Sequence, residues 1–245
     1  MLARLCCEES IRLSPNGRVY GNLGAIYGRM NDNEKAEEML DRAIEYESGE
    51  KNAWNNKAAN YVNEGNPYPG IEAAQKALEI DPNFVKAKWN LGLLQLESGD
   101  FQNGWANYRE GLAMSDRMLR SYSFGDGEGP KMLEKLSELT AYREEHGKKP
   151  RMIVWGEQGI GDEIMFSTIL KELSEYAEIV FECHPRLIEI FERSYDFIAE
   201  FHPTRKDDFL EWPLESEPCQ FKCAISDLGL FFRQKRESFD NPAGS

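Results

Sequence analysis

The first 120 residues repeat themselves at an offset of 34, and this period constrains the chain more than any other feature it carries. Gly24, Ala58 and Gly92 fall in register, as do Tyr20, Trp54 and Lys88, then Tyr27, Tyr61 and Gln95, then Asn31, Gly65 and Gly99. A period of this length belongs to a stack of helix pairs, because one pair cannot bury its apolar face alone and must lean on the next. Each aligned place then has a task. The small residue at the eighth place lets two helix backbones come close, and the aromatics at the fourth and eleventh fill the space beside it. Asn or Gly at the fifteenth place closes the first helix, since left-handed C-cap geometry costs those residues little. Pro82 ends the second helix of the middle copy, because it has no N–H to continue the ladder.

The pattern resembles the tetratricopeptide repeat. The middle copy, NAWNNKAANYVNEGNPYPGIEAAQKALEIDP, carries it most fully. The third, KAKWNLGLLQLESGDFQNGWANYREGL, departs at Trp89, one place late, and at Gly111, where Ala is usual. Residues 1–16 look like the second helix of an earlier repeat, so residues 1–120 are expected to hold a half repeat and three full ones. The concave face of such a solenoid is lined by the first helix of each pair, and a protein or peptide in that groove is the expected partner. Asn22, Asn56 and Asn90 all stand at the sixth place. One reading makes them an amide ladder gripping an extended peptide, as in the repeat arm of O-GlcNAc transferases, which this stretch resembles. The other makes them hydrogen-bonded ties between neighbouring repeats. Trp54, Trp89 and Trp105 are read as packing residues.

Residues 121–150 change character and read as a linker. SYSFGDGEGP is Gly-rich and acidic, a loop, and KMLEKLSELTAYREEHGKKP then predicts an amphipathic helix of about four turns, stopped near Gly147 and Pro150. This helix is expected at the seam between the repeats and an α/β unit.

From Arg151 the pattern is α/β. Met152-Ile153-Val154-Trp155 is the apolar run of a buried parallel strand. It turns through Gly156 to Gly161 and enters a helix from Asp162, with Ile164, Met165, Thr168, Ile169, Glu172 and Leu173 as its stripe. Further strands are expected at 178–183, 197–201 and 221–225. A helix follows Pro185, residues 203–218 read as loop, and Ser226 with Asp227 stands where a last helix is capped. That order predicts a parallel sheet with right-handed crossovers. The fold class is therefore α plus α/β, a tetratricopeptide solenoid followed by a partial Rossmann-like domain over 151–245.

Charge and cysteine usage narrow the partners. A net charge of −14 argues against unspecific binding to nucleic acid. No apolar run reaches the roughly 18 residues of a membrane span, and the N-terminus is too polar for a signal peptide. Five scattered cysteines fit a reduced, cytoplasmic setting. Cys219 and Cys223 lack a second pair or a nearby His, so no metal site is expected.

The glycine turn is not a P-loop, because no Gly-Lys-Ser/Thr follows, and it misses the dinucleotide fingerprint, because Ile164 stands where the third glycine belongs. No cofactor is expected. The longer strings VWGEQGIGDEIMFSTIL, VFECHPRLIEIFERS and CAISDLGLFFRQKRESF instead resemble the acceptor-side half of bacterial and phage glycosyltransferases of the GT-B class. These carry tetratricopeptide repeats and are related to heptosyltransferases. The resemblance implies that Asp162 is a general base for an acceptor hydroxyl, whereas spacing alone makes it a helix cap; the two roles are compatible. Glu157, Gln158, Gly159 and Gly161 would contact the acceptor, and His184 faces the same crevice on this reading. The family's second, donor-binding domain should begin near NPAGS. The expected function is thus a glycosyltransferase-like protein that lacks the donor-binding domain and is not expected to turn over alone, its repeats recruiting a protein or glycan acceptor; a fragment of a longer enzyme, a remnant that kept the acceptor-side half, and a separate donor-binding partner all stay open. The alternative is a non-catalytic interaction module.

Overall fold

The computed structural model describes residues 2–114, 121–124, 128–157, 159–205 and 209–240. The chain divides into two compact units, Met1–Met114 and Ser115–Ser245. The first unit is all helical: α1 (Leu2–Leu13), α2 (Gly17–Arg29), α3 (Asn33–Tyr46), α4 (Lys51–Glu64), α5 (Pro67–Ile80), α6 (Val85–Ser98) and α7 (Phe101–Glu110). One helix therefore precedes three pairs. Caps set the boundaries. Asn16 Oδ1 accepts from Val19 N at 3.0 Å to start α2, and Asp32 and Asp100 do the same for α3 and α7. At the fifteenth place Asn31, Gly65 and Gly99 all adopt positive φ, of 62°, 67° and 88°. The core packs around the small eighth-place residues: Leu23, Tyr27 and Ala36 pack between α2 and α3 beside Gly24, and Ala73, Ala74, Leu91 and Leu94 join Ala58 between α4, α5 and α6. The two departures of the third repeat compensate each other. The Trp89 ring lies over Gly111, where a Cβ would stand only 2.4 Å from Trp89 Cε3.

The second unit holds β1 (Ser121–Tyr122), β2 (Lys131–Met132), α8 (Leu136–His146), β3 (Arg151–Trp155), α9 (Ile160–Ser167), α10 (Leu170–Ser174), β4 (Glu178–Cys183), α11 (Ile188–Ser194), β5 (Glu200–Pro203), β6 (Phe209–Leu210), β7 (Phe221–Ala224), α12 (Asp227–Phe232) and α13 (Glu237–Asp240). Five strands form one parallel sheet in the order β2-β7-β3-β4-β5, and β1 pairs parallel with β6. Every residue of β3 is buried. The path runs from β3 outward through β4 to β5 and then returns to β7 on the other side of β3. The carboxyl ends of β3 and β7 therefore flank the point where the strand order reverses.

Several local expectations are corrected. The linker helix begins at Leu136, not Lys131; Lys131 and Met132 instead extend the sheet beside Phe221 and Lys222. Strand β5 lies at 200–203 rather than 197–201, with Pro203 tolerated because β5 is an edge. The stretch 203–218 is not all loop, since β6 and a 3₁₀ turn at Trp212–Leu214 interrupt it. The helix after the glycine turn is broken in two. Ser167 Oγ and Thr168 Oγ1 donate to the carbonyls of Ile164 and Met165, at 2.8 and 2.7 Å, which competes with the helical ladder. Its buried side is also different: Glu163, Phe166, Ser167, Ile169, Leu170 and Leu173 face inward, whereas Ile164 and Met165 are exposed.

Candidate functional site

The helical unit carries an open groove of about 570 Å³ lined by α2, α4 and the start of α6. Small residues make the room: Gly21, Gly24, Ala25 and Gly28 on α2, Ala53 and Ala59 on α4. Polar donors fill the rim, among them Arg18, Asn22 and Arg29 from α2, Asn52, Asn56 and Asn63 from α4, and Lys86 from α6. The sixth-place asparagines do not play one common part. Asn56 Nδ2 donates to Gly21 O at 3.2 Å, and Asn90 Nδ2 to Asn55 Oδ1 at 3.0 Å, so both join a helix to the preceding repeat. Asn22 is exposed and makes no side-chain hydrogen bond among the described residues. Asn22 and Asn56 both line the groove, while Asn90 is buried.

In the second unit the turn after β3 places its residues very differently. Glu157 is buried at 1 % exposure, and Gln158 lies outside the described residues. Gly159 is the N-cap of α9, and its N–H donates to Asp162 Oδ2 at 3.1 Å. Asp162 thus closes the first turn from the third helical position, with its carboxylate half-exposed. A Cβ on Gly161 would meet nothing within 4 Å, and its φ is not positive. Neither packing nor backbone conformation within the chain therefore requires glycine there.

The residue that ties this region together is Glu163, which no spacing rule singles out. It is 2 % exposed, and its Oε2 accepts from His184 N at 2.8 Å, joining the start of α9 to the end of β4. Gly156 makes room for it, since a Cβ there would lie 2.4 Å from Glu163 Cδ. His184 itself is half-buried and caps the 3₁₀ turn after it, its Nδ1 accepting from Arg186 N at 3.2 Å. Glu182, a strand-packing residue by its place in β4, is fully buried; its carboxylate accepts from Tyr122 Oη at 2.8 Å and Trp212 Nε1 at 2.6 Å. Cys183 is buried beside these acids. Burial, with Glu163 nearby, pushes its thiol up to about 12, which makes it a packing group and not a nucleophile. No cluster of His, Cys, Asp and Glu among the described residues has metal-binding geometry. No described helix is long and apolar enough to cross a membrane.

Comparison with known proteins identifies the repeats. The tetratricopeptide repeat family model matches residues 17–49 and 52–84. The peroxisomal targeting signal receptor of Candida albicans is 26 % identical over 111 residues, covering 43 % of this chain and 19 % of that protein. Hsp70-Hsp90 organizing protein 1 of Glycine max is 33 % identical over 70 residues, covering 29 % of this chain and 12 % of that protein. The chain thus spans less than a fifth of the length of these relatives. Among solved structures, an O-GlcNAc transferase mutant of Thermobaculum terrenum aligns over 82 % of this chain and 37 % of its own, at 15 % identity and a TM-score of 0.44. The MamA protein aligns over 44 % of this chain and 60 % of its own, at 22 % identity and a TM-score of 0.40.

Proposed function

We propose that the chain is a protein-interaction module whose helical unit holds an extended polypeptide segment in the groove between α2, α4 and α6. The observation that carries this is the lining itself: small residues open a channel, and side-chain amides with spare donors stand along it. An extended peptide has one unpaired N–H and one unpaired C=O per residue, and amides match both. The repeat-bearing relatives include a targeting-signal receptor and an Hsp70-Hsp90 organizing protein, whose names describe recognition of other proteins. The test is selection from a displayed random peptide library on the intact chain. Enriched peptides should bind at micromolar affinity, and Ala59→Trp, which fills the groove, should abolish that binding without lowering the melting temperature. Equal binding to the filled groove would refute the assignment.

A second reading concerns the α/β unit. It treats the sheet as the Rossmann-like, acceptor-side half of a heptosyltransferase-like GT-B glycosyltransferase. The peptide or glycan delivered by the repeats would be its acceptor, and a further domain would bind the sugar donor. The favouring observation is the glycine turn at the carboxyl end of β3, beside the strand-order reversal, with open space over Gly161. Asp162 is then the general base, because its half-exposed carboxylate keeps one oxygen, Oδ1, beyond the bond to Gly159. Gln158, Gly159, Gly161 and His184 are proposed to surround the acceptor, while Glu157, buried at 1 % exposure, supports the turn from within. A cytoplasmic setting fits reduced thiols and a sugar-nucleotide donor. Sugar transfer should be measured for this chain joined to a donor-binding domain; full activity of Asp162→Asn would remove the base from the mechanism.

A further inference from the structure

The cations of the helical unit are distributed unevenly, and the pattern names the kind of segment the groove takes. This unit holds twelve Lys and Arg against seventeen Asp and Glu, so a cation finds a carboxylate easily. Arg4, Arg12, Lys35, Arg42, Lys51, Lys57, Lys76 and Lys88 each lie within 4 Å of one. Arg18, Arg29 and Lys86 have no carboxylate partner among the described residues, and all three are exposed and line the groove. Among the described residues that line the groove, Glu50 is the one carboxylate, and its Oε1 accepts from the backbone N and the side-chain Nδ2 of Asn52 at 2.9 and 2.6 Å.

The repeat sharpens this. Arg18, Asn52 and Lys86 occupy one place, each the second residue of its helix, α2, α4 and α6. They make a row of donors across three repeats at the helix N-termini, where the backbone dipoles add positive potential. Asn22 stands one turn further along α2. Burying such a row without anions costs free energy, whereas carboxylates recover it as charge-assisted hydrogen bonds.

We infer that the groove selects an acidic segment, with carboxylates set along the row Arg18–Asn52–Lys86 and the backbone held beside Asn22. This rests on the reading that the groove holds a polypeptide. Asn56 and Asn90 are not specificity residues in this scheme, because their amides hold the repeats together.

The test uses the full chain and rhodamine-labelled decapeptides of alternating Ala-Glu, Ala-Gln and Ala-Lys with amidated ends, plus Ala-Gln with a free C-terminus, read by fluorescence anisotropy at 50 and 300 mM NaCl. The Ala-Glu peptide should bind about tenfold tighter than amidated Ala-Gln, with that advantage reduced at high salt. The double variant Arg18→Gln, Lys86→Gln should erase the preference, and Lys76→Gln, outside the groove, should keep it. If only the free C-terminus restores binding to Ala-Gln, while Ala-Glu stays weak, a terminal carboxylate and not acidic side chains is the occupant, and the acidic-segment assignment fails. Equal binding of Ala-Glu and amidated Ala-Gln overturns the selectivity and leaves the groove a peptide site. Failure of every peptide to bind overturns both. Unchanged circular dichroism of the double variant secures the comparison.

Discussion

The close approach of α6 and α7 at Gly92 is the most demanding packing claim in the helical unit, and alanine there measures it. A Cβ on Gly92 would lie 2.5 Å from Tyr108 N, 2.9 Å from the carbonyl carbon of Asn107 and 2.9 Å from Gly104 O. All three are backbone atoms of α7, so no side chain can swing aside. Contact distances of about 3.5–4.0 Å are needed, so α7 must withdraw by about 1 Å. Overpacking of this kind costs about 1–3 kcal/mol. Alanine returns about 0.8–1.0 kcal/mol of helix propensity over glycine, which leaves Gly92→Ala destabilising by up to about 2 kcal/mol. Gly21→Ala is the control. Its Cβ would meet only the Cβ atoms of Ala43 and Ala53, at 3.8 and 3.9 Å, an ordinary contact. It should therefore gain about 0.5–1 kcal/mol. Urea unfolding followed by far-ultraviolet circular dichroism should separate the two variants by about 1 M in midpoint, at a slope of roughly 1–3 kcal/mol per M. Hydrogen exchange should place the loss in peptides covering residues 85–110. Equal or greater stability of Gly92→Ala, or comparable damage from Gly21→Ala, would refute the argument from close approach.

Two further outcomes concern the α/β unit. Gly156→Ala should drive the Glu163 carboxylate off His184 N, raising amide exchange at His184 and costing about 1–3 kcal/mol, whereas Gly161→Ala should leave that amide protected; unchanged protection in Gly156→Ala would sink this. Glu200 supplies a pH test: burial pushes its carboxyl upward, but hydrogen bonds from Arg151, His202 and Ser216 outweigh that and hold it below the ordinary value. A depressed carboxyl stabilises the fold above its unfolded-state pKa, near 4.5, and loses that contribution as pH falls through the lower folded-state pKa. Urea midpoints read by tryptophan fluorescence, with Trp212 stacked on His202 at 4.0 Å, should fall less between pH 5 and 3 in Glu200→Gln than in the parent; parallel acid limbs would contradict it.

What can be read from the residues depends on whether each one acts through a repeated pattern or through a single contact. The repeats are legible because the same geometry is written three times: positive φ at Asn31, Gly65 and Gly99 follows from place alone. Even the third copy's two irregularities carry one cause, since the ring of Trp89 takes the space a side chain at Gly111 would need. The sixth-place asparagines show the limit of that logic. Register gives all three one role, but Asn56 and Asn90 reach back to a preceding repeat, and Asn22 has no such bond among the described residues. In the α/β unit, pairs such as Lys131–Met132 with Phe221–Lys222 are too short to leave a period, so spacing merges Lys131 and Met132 into the neighbouring helix. Spacing also misplaces the buried face of α9, because two polar residues, Glu163 and Ser167, lie on it, and hydrophobic periodicity cannot see a buried carboxylate. The family resemblance draws attention to Asp162, whose bond to Gly159 is the local cap that spacing alone gives it, while the next residue holds β4 to the turn. The clue to Glu163 lies in the structure and not in the residue pattern: Gly156, directly after a buried strand and without positive φ, has no room for a Cβ because the Glu163 carboxylate is pressed against it.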